Sequence, residues 1–274
     1  MIEIPEAQTL ASQLDETITG KTIKRAVAAQ SPHGFAFYFG DPGEYAHRLQ
    51  GRLITATACH GGHPEIWAED MRLCFSDGVN VRYLTPGAKS PDKHQLLLIF
   101  DDDSSLHCTI SMYGGIWAFP DGLNDNPYYL AAKQKPSPLD DRFDTAYFQT
   151  LLTPETAKLS AKAFLATQQR IPGLGNGVLQ DILWTAKIHP KQKLCAVTDR
   201  YDTLHSAVKS VLAEMTTGGG RSTDKDLFGD PGGYQTILSR FTVGQPCPRC
   251  GTLIQRLSYL GGNVYVCRGC QTYP

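Results

Sequence analysis

The last 28 residues carry the tightest constraint in this chain. Cys247, Cys250, Cys267 and Cys270 form the pattern C-x2-C-x16-C-x2-C. Two residues between cysteines let one tight turn aim both thiolates at a single ion, and two such knuckles complete a tetrahedral four-sulfur site suited to zinc. The competing readings are two disulfides or a redox pair. The first is at odds with a cytosolic chain, and the second with two matched knuckles. With every coordination position filled by protein, the one zinc ion would be structural. Between the knuckles, residues 253–256 and 263–266 read as short strands around Leu260-Gly261-Gly262. A ribbon this small needs its ion to fold. The remaining cysteines (Cys59, Cys74, Cys108, Cys195) are scattered among apolar residues and read as reduced thiols.

The rest of the chain divides in two. At 274 residues and 41% hydrophobic content it can bury more than one core, and 26 aromatic residues exclude bulk disorder. No apolar run approaches the ~18 residues of a spanning helix. The start, Met1-Ile2-Glu3-Ile4-Pro5-Glu6, has two acids and no basic leader, which places the expected location in the cytoplasm, with the nucleoid if the partner is DNA. Residues 6–19 set Ala7, Leu10, Leu14 and Ile18 at helical spacing, with Gly20 as the stop. From 21 to 120 the pattern is strand-like, with apolar runs such as 96–100 bounded by Asp-rich turns. Residues 121–143, rich in Pro, Asn and Asp, read as a linker. Residues 144–240 read as helical, with apolar faces over 147–152, 161–167, 177–186 and 203–215 and a flexible Gly218-Gly219-Gly220-Arg221 loop. Residues 241–274 are the ribbon. The expected fold is α+β.

Net charge is −1, but it is unevenly spread. Residues 1–150 hold 12 basic and 19 acidic side chains; residues 151–274 hold 14 and 8, a net of +6. A basic half attracts polyanions locally, because screening sets in only beyond about 8–10 Å. The turn Ile171-Pro172-Gly173-Leu174-Gly175-Asn176-Gly177 lies between two helical segments, where free N–H groups can hold a phosphate. A plain helical corner is the competing reading of this turn.

Taken together these parts resemble the formamidopyrimidine-DNA glycosylase and endonuclease VIII family of base-excision repair. The resemblance rests on Pro172-Gly173-Leu174-Gly175-Asn176 through Asp181-Ile182-Leu183 to Ala186-Lys187-Ile188-His189-Pro190, similar to its helix–two-turn–helix. It rests also on Cys247-Pro248-Arg249-Cys250 with Cys267-Arg268-Gly269-Cys270-Gln271, and on Glu3-Ile4-Pro5-Glu6 at the start. It implies an N-terminal β-sandwich with a leading helix, a helical domain and a zinc hairpin. The partner it implies is double-stranded DNA, damaged or abasic, bound by a monomer. It implies Asn176 as a phosphate contact and a glycosylase/lyase that attacks C1′ with an N-terminal proline amine while a glutamate moves protons.

The sequence departs from that pattern where the chemistry lies. Ile2 stands in the proline position, and a bulky second residue disfavours removal of Met1. The family glutamate matches Glu3. No lysine occurs between Lys24 and Lys89, where the family has a strand lysine; His63 and Glu69 stand nearest. Gly262, beside Asn263, occupies the position of the finger arginine, and Met112 falls near a wedge position. Three readings follow. The leading one is a damaged-DNA-binding repair protein with altered chemistry anchored on Glu3, with Met1 as helper and Asn176, Gly175, Arg221, Met112 and Asn263 at the DNA. The second is a catalytically inactive binder of damaged or abasic DNA. The third is a zinc-ribbon adaptor for RNA or protein.

Overall fold

The computed structural model describes residues 1–273. Helix α1 (Ile4–Ile18) opens the chain. Strands β1 (Ile23–Ala28) and β2 (Ala36–Tyr38) follow, then short helix α2 (Tyr45–Leu49) and strands β3 (Ile54–His60), β4 (His63–Ala68), β5 (Met71–Phe75), β6 (Val79–Leu84), β7 (Leu96–Phe100), β8 (Ser105–Ile110) and β9 (Gly114–Pro120). Helices α3 (Pro127–Gln134), α4 (Thr145–Thr150), α5 (Ala161–Ala166), α6 (Leu179–Thr185) and α7 (Tyr201–Thr217) lead to the hairpin β10 (Gln255–Tyr259) and β11 (Gly262–Val266).

The strands make two sheets, one in the order β1-β7-β8-β6 and one in the order β2-β9-β5-β4-β3. All neighbours are antiparallel except β2 and β9. Their inner faces share a core with one side of α1: Ala7, Leu10, Leu14 and Ile18, spaced for one helical face, are all buried there. The α+β class and the sandwich-plus-helix arrangement therefore agree with the sequence pattern. No described helix is long and apolar enough to cross a membrane.

Helices α4 to α7 surround a second core that includes Phe143, Phe148, Phe164, Leu179, Leu183, Leu204 and Leu212. Ile4 belongs to this second core, whereas Ile2 and Ala7 belong to the first. Helix α1 thus joins the two halves. At the same seam, the β3–β4 turn meets the 172–173 turn so closely that a Cβ on Gly61 would lie 2.8 Å from the Pro172 carbonyl oxygen.

The 121–143 segment is not a plain linker. It contains α3, capped by the Asn126 side chain, which accepts from the Tyr128 and Tyr129 amides. Tyr129 is buried edge-on against Phe119, and its hydroxyl donates to the fully buried Glu65 at 2.5 Å. Asn126 and Pro127, two of the residues that suggested a linker, are the N-terminal signals of this helix. The ribbon turn is also shorter than expected. Tyr259 pairs with Gly262, leaving only Leu260 and Gly261 as the loop. Both have positive φ, as a two-residue hairpin turn of matching twist requires.

Candidate functional site

The 172–177 turn presents two faces. One holds the N-terminus and the other holds the hairpin.

On the first face, Glu3 sits at the start of α1 but does not cap it. Its carboxylate crosses to the other half of the molecule and accepts from the Gly177 and Val178 amides at 2.8 and 2.7 Å, at the entry to α6. Glu3 is therefore a helix-start acid for α6, where free N–H groups favour a negative charge. It is only 3% exposed. Burial pushes its carboxyl above the usual carboxylate range, against the opposing pull of Arg221 and with a further push from the Glu6 charge.

Arg221 requires a correction. The Gly-Gly-Gly sequence suggested a mobile loop tip reaching for DNA, but Arg221 is 4% exposed and turned inward. Its Nε and Nη2 donate to the two Glu6 carboxylate oxygens at 2.9 and 2.8 Å, Nη2 lies 3.3 Å from Asp224, and Nη1 lies 3.7 Å from Glu3. A guanidinium with three carboxylates in reach gains more by burial beside them than by facing solvent. Burial works against its charge, but Glu3 and Glu6 outweigh that and push its pKa above the usual value. The glycines serve this packing. A Cβ on Gly177 would overlap Arg221 Nη1, and one on Gly175 would lie 2.6 Å from Glu3 Oε1. Gly175 thus makes room for Glu3.

The N-terminal ammonium of Met1 pairs with Asp224 at 2.7 Å. The Ile2 N–H is an ordinary amide that donates to the Asp77 carbonyl at 2.6 Å, and the Ile2 side chain is buried in the sandwich core. No free amine stands at position 2. His63 does not join this cluster. It is buried against Trp117, with ring centroids 5.8 Å apart, and burial lowers its pKa to about 4. Glu69 lies on the surface near Arg52. Met112, by contrast, is 65% exposed in the β8–β9 loop, free to touch a ligand.

On the second face, Asn176 Nδ2 donates to the Asn263 carbonyl at 3.0 Å, and its Oδ1 is buried without a hydrogen-bond partner. Gln180 ties the same turn to the hairpin: its Nε2 donates to the Asn176 carbonyl and its Oε1 accepts from the Tyr265 amide. Lys162 of α5 lies beneath, with Nζ donating to the Tyr259 carbonyl at 2.7 Å. Lys162 had not been singled out from the sequence. Its signal was a lone charge inside the apolar run Ala161-Lys162-Ala163-Phe164-Leu165. The acids that fix Arg221 and Met1, Glu6 and Asp224, carried no sequence signal of that pairing.

The four ribbon sulfurs lie within 4.8 Å of one another, with separations of 3.3 Å (Cys250–Cys267), 3.6 Å (Cys250–Cys270) and 3.8 Å (Cys247–Cys270). Tetrahedral zinc with bonds of about 2.3 Å sets its sulfurs about 3.8 Å apart, so this donor set fits the ion. None of the four is disulfide-bonded. Trp184 of α6 donates its Nε1 hydrogen to Cys247 Sγ at 3.4 Å, and the Arg249 guanidinium stacks 3.7 Å above the Trp184 ring. Asp181 accepts from the Ile237 and Leu238 amides, fastening the chain as it enters the ribbon. The ribbon is thus bolted to the helix that follows the turn.

Known proteins share this arrangement. The formamidopyrimidine-DNA glycosylase H2TH domain model matches residues 135–226. The formamidopyrimidine-DNA glycosylase of Streptococcus pneumoniae (strain R6) is 26% identical over 278 residues, covering 99% of each chain. That of Acidothermus cellulolyticus is 29% identical over 288 residues, covering 100% of this chain and 98% of its own. The crystal structure of Lactococcus lactis Fpg with DNA containing N7-benzyl-Fapy-dG superposes with a TM-score of 0.84 at 25% identity, covering 99% of this chain and 100% of that one. Along its whole length the chain is thus similar to formamidopyrimidine-DNA glycosylases. At its N-terminus Glu3, Glu6 and Asp224 hold Arg221 in ion pairs, and Ile2 beside them is a core residue.

Proposed function

We propose that this protein recognises damaged or abasic nucleotides in duplex DNA as part of base-excision repair, with chemistry altered from attack by an N-terminal proline amine. The observation that carries the altered chemistry is the state of the two candidate nitrogens. Ile2 N is an amide bonded to Asp77, and the Met1 ammonium is tied to Asp224. The lone pair of an amide is delocalised into its carbonyl, and the Met1 nitrogen must leave Asp224 before it can attack, so neither nitrogen is placed ready for a Schiff base at C1′. Glu3 is then the group available to handle a proton or a water at the sugar, and it must first exchange one amide partner for that water. Zinc, held by Cys247, Cys250, Cys267 and Cys270, supplies rigidity to the hairpin and no chemistry at the sugar.

The full match along the chain, rather than to the ribbon alone, removes the ground for an RNA or protein adaptor. The saturation of Glu3 by two amides and Arg221 does favour a second reading, a binder with no activity of its own. Anisotropy with a duplex carrying a tetrahydrofuran abasic analogue tests recognition, and tighter binding than to the undamaged duplex is the expected result. Borohydride treatment of the complex with a natural abasic site should leave no covalent adduct; an adduct would overturn the altered chemistry. Base release that disappears in Glu3→Gln separates the first reading from the second.

A further inference from the structure

The outer face of the five-stranded sheet carries a groove that shares no residue with either face of the 172–177 turn. Along β9, Ile116 and Ala118 point into the sandwich core, so Gly115, Trp117 and Phe119 point outward. Helix α3 covers part of this outer face through Tyr129, which packs on Phe119. Where α3 begins, the sheet stays open. A groove of about 500 Å³ lies there between the end of the edge strand β2 and residues 124–127, with Phe39, Gly40, Trp117, Asn124, Asp125 and Pro127 in its walls. That volume falls within the ~300–1,000 Å³ typical of ligand sites.

The platform of the groove is Trp117. A Cβ on Gly115 would overlap the indole, so the glycine lets the ring lie back along its own strand. His63, kept neutral by burial, backs the indole at 5.8 Å and 27° from parallel. Trp117 is partly exposed, and its indole N–H has no acceptor among the described residues, whereas those of Trp67 and Trp184 donate to Glu65 and Cys247. Asn124 is only 5% exposed; its Oδ1 accepts from the Asn126 amide, and its Nδ2 is buried with no partner. A buried amide nitrogen without an acceptor is uncommon, and here it stands in the wall of an open groove.

The charge around the groove has one sign. Residues 36–45 and 117–128, which build it, hold four acids (Asp41, Glu44, Asp121 and Asp125) and no Lys or Arg. Asp121 is paired with Arg72, but Asp125, in the groove itself, is exposed and in no ion pair among the described residues. These acids repel phosphate, which argues against a nucleic acid here. The complement of the groove is a cation that can lie on an indole and meet a carboxylate, joined to oxygens that accept from two N–H donors. An arginine within an extended peptide supplies both, through its planar guanidinium and its flanking backbone carbonyls.

We propose that this groove docks an arginine-bearing segment of a protein partner, with the guanidinium on Trp117 and against Asp125 and a peptide carbonyl on Asn124 Nδ2. This goes beyond DNA recognition and does not depend on it.

The test is a titration of the full-length, zinc-loaded protein with a short peptide alternating glycine and arginine, followed by nitrogen–proton correlation spectra. The chain has three tryptophans, and the indole signal missing from Trp117→Phe is that of Trp117. This signal is expected to move on titration while those of Trp67 and Trp184 stay. The same peptide with citrulline in place of arginine, neutral and of equal shape, should bind about tenfold more weakly. Asp125→Asn, an exposed change that leaves the fold intact, should weaken the arginine peptide about threefold, the size of one exposed charge contact. A Trp117 signal that does not move, or that moves equally with the citrulline peptide, overturns the proposal. Unchanged affinity in Asp125→Asn overturns it too, since the peptide would then be held by the acidic half at large. Sedimentation showing a dimer that Asp125→Lys breaks would give the groove to the basic half of a second copy, and the partner segment would be ruled out.

Discussion

The two faces of the 172–177 turn handle charge in opposite ways. On the N-terminal face, two cations (the Met1 ammonium and Arg221) meet three carboxylates (Glu3, Glu6 and Asp224), and the amides of the turn complete the set. On the hairpin face, one buried cation meets no carboxylate and one buried amide oxygen has no partner. The first face is internally satisfied and holds the two halves of the molecule together. The second is left incomplete: among the described residues Lys162 has no counter-charge and Asn176 Oδ1 no donor. A few residues of shared backbone thus separate a compensated cluster from an uncompensated one.

The largest way to break this comparison is to remove the zinc. Structural zinc contributes about 10 kcal/mol or more to folding small ribbons. Chelation should unfold residues 241–274 and abolish DNA binding, since Asn263 and the Tyr259 carbonyl leave with the hairpin. The sandwich core, which contains no ribbon residue, should keep its thermal transition. Loss of that transition on chelation would show that the two faces are not separable.

Next in size is Arg221→Met. It leaves Glu3, Glu6 and Asp224 facing one another without their shared cation, and breaking a buried ion pair by removing one partner costs about 3–5 kcal/mol. A fall in melting temperature is the readout. Gly177→Ala should also destabilise, by about 1–3 kcal/mol through overpacking, because its Cβ would overlap the guanidinium. In an Arg221→Met background that cost should largely vanish. Additive effects of the two changes would mean that the turn glycine does not exist for the arginine.

A smaller effect separates the halves by pH. Burial of His63 lowers its pKa to about 4 from an ordinary 6.5, so the folded state resists a proton that the unfolded chain accepts. Its contribution is fully present above pH 6.5 and is lost as pH falls through the interval down to about 4, amounting to roughly 3 kcal/mol at the acid end. The melting temperature of the sandwich should fall across that interval. His63→Gln should flatten the dependence, and a profile unchanged in this variant would place the acid-labile group elsewhere.

Much of this architecture could be read from residues alone because it rests on period and spacing. Ala7, Leu10, Leu14 and Ile18 fix α1, and four cysteines fix the ribbon. What escaped depends on contacts between residues far apart in sequence. Glu3 was legible as a helix-start acid, but the amides it serves, at the entry to α6, lie 174 and 175 positions later. Three glycines before Arg221 carry the freedom of a loop, yet the chain there folds back because Glu6 and Asp224 lie across it. The α3 helix was hidden behind Pro127 and Asn126, residues shared by linkers and helix starts alike. Lys162 was visible only as a charge in the wrong place on an apolar helix.

The finest distinction lies at the hairpin tip. Leu260 has a φ of 50° and is 54% exposed, so a branched side chain occupies a left-handed position that suits Asn or Gly and packs on little in return. A non-glycine residue there costs about 1 kcal/mol. Leu260→Asn should therefore steady the hairpin by a few tenths to 1 kcal/mol, read as slower amide exchange at Val264 and Tyr265. If the tip is only a turn, the affinity for lesion-containing DNA stays as it was. If affinity falls while exchange slows, the strained leucine is itself held out for the DNA.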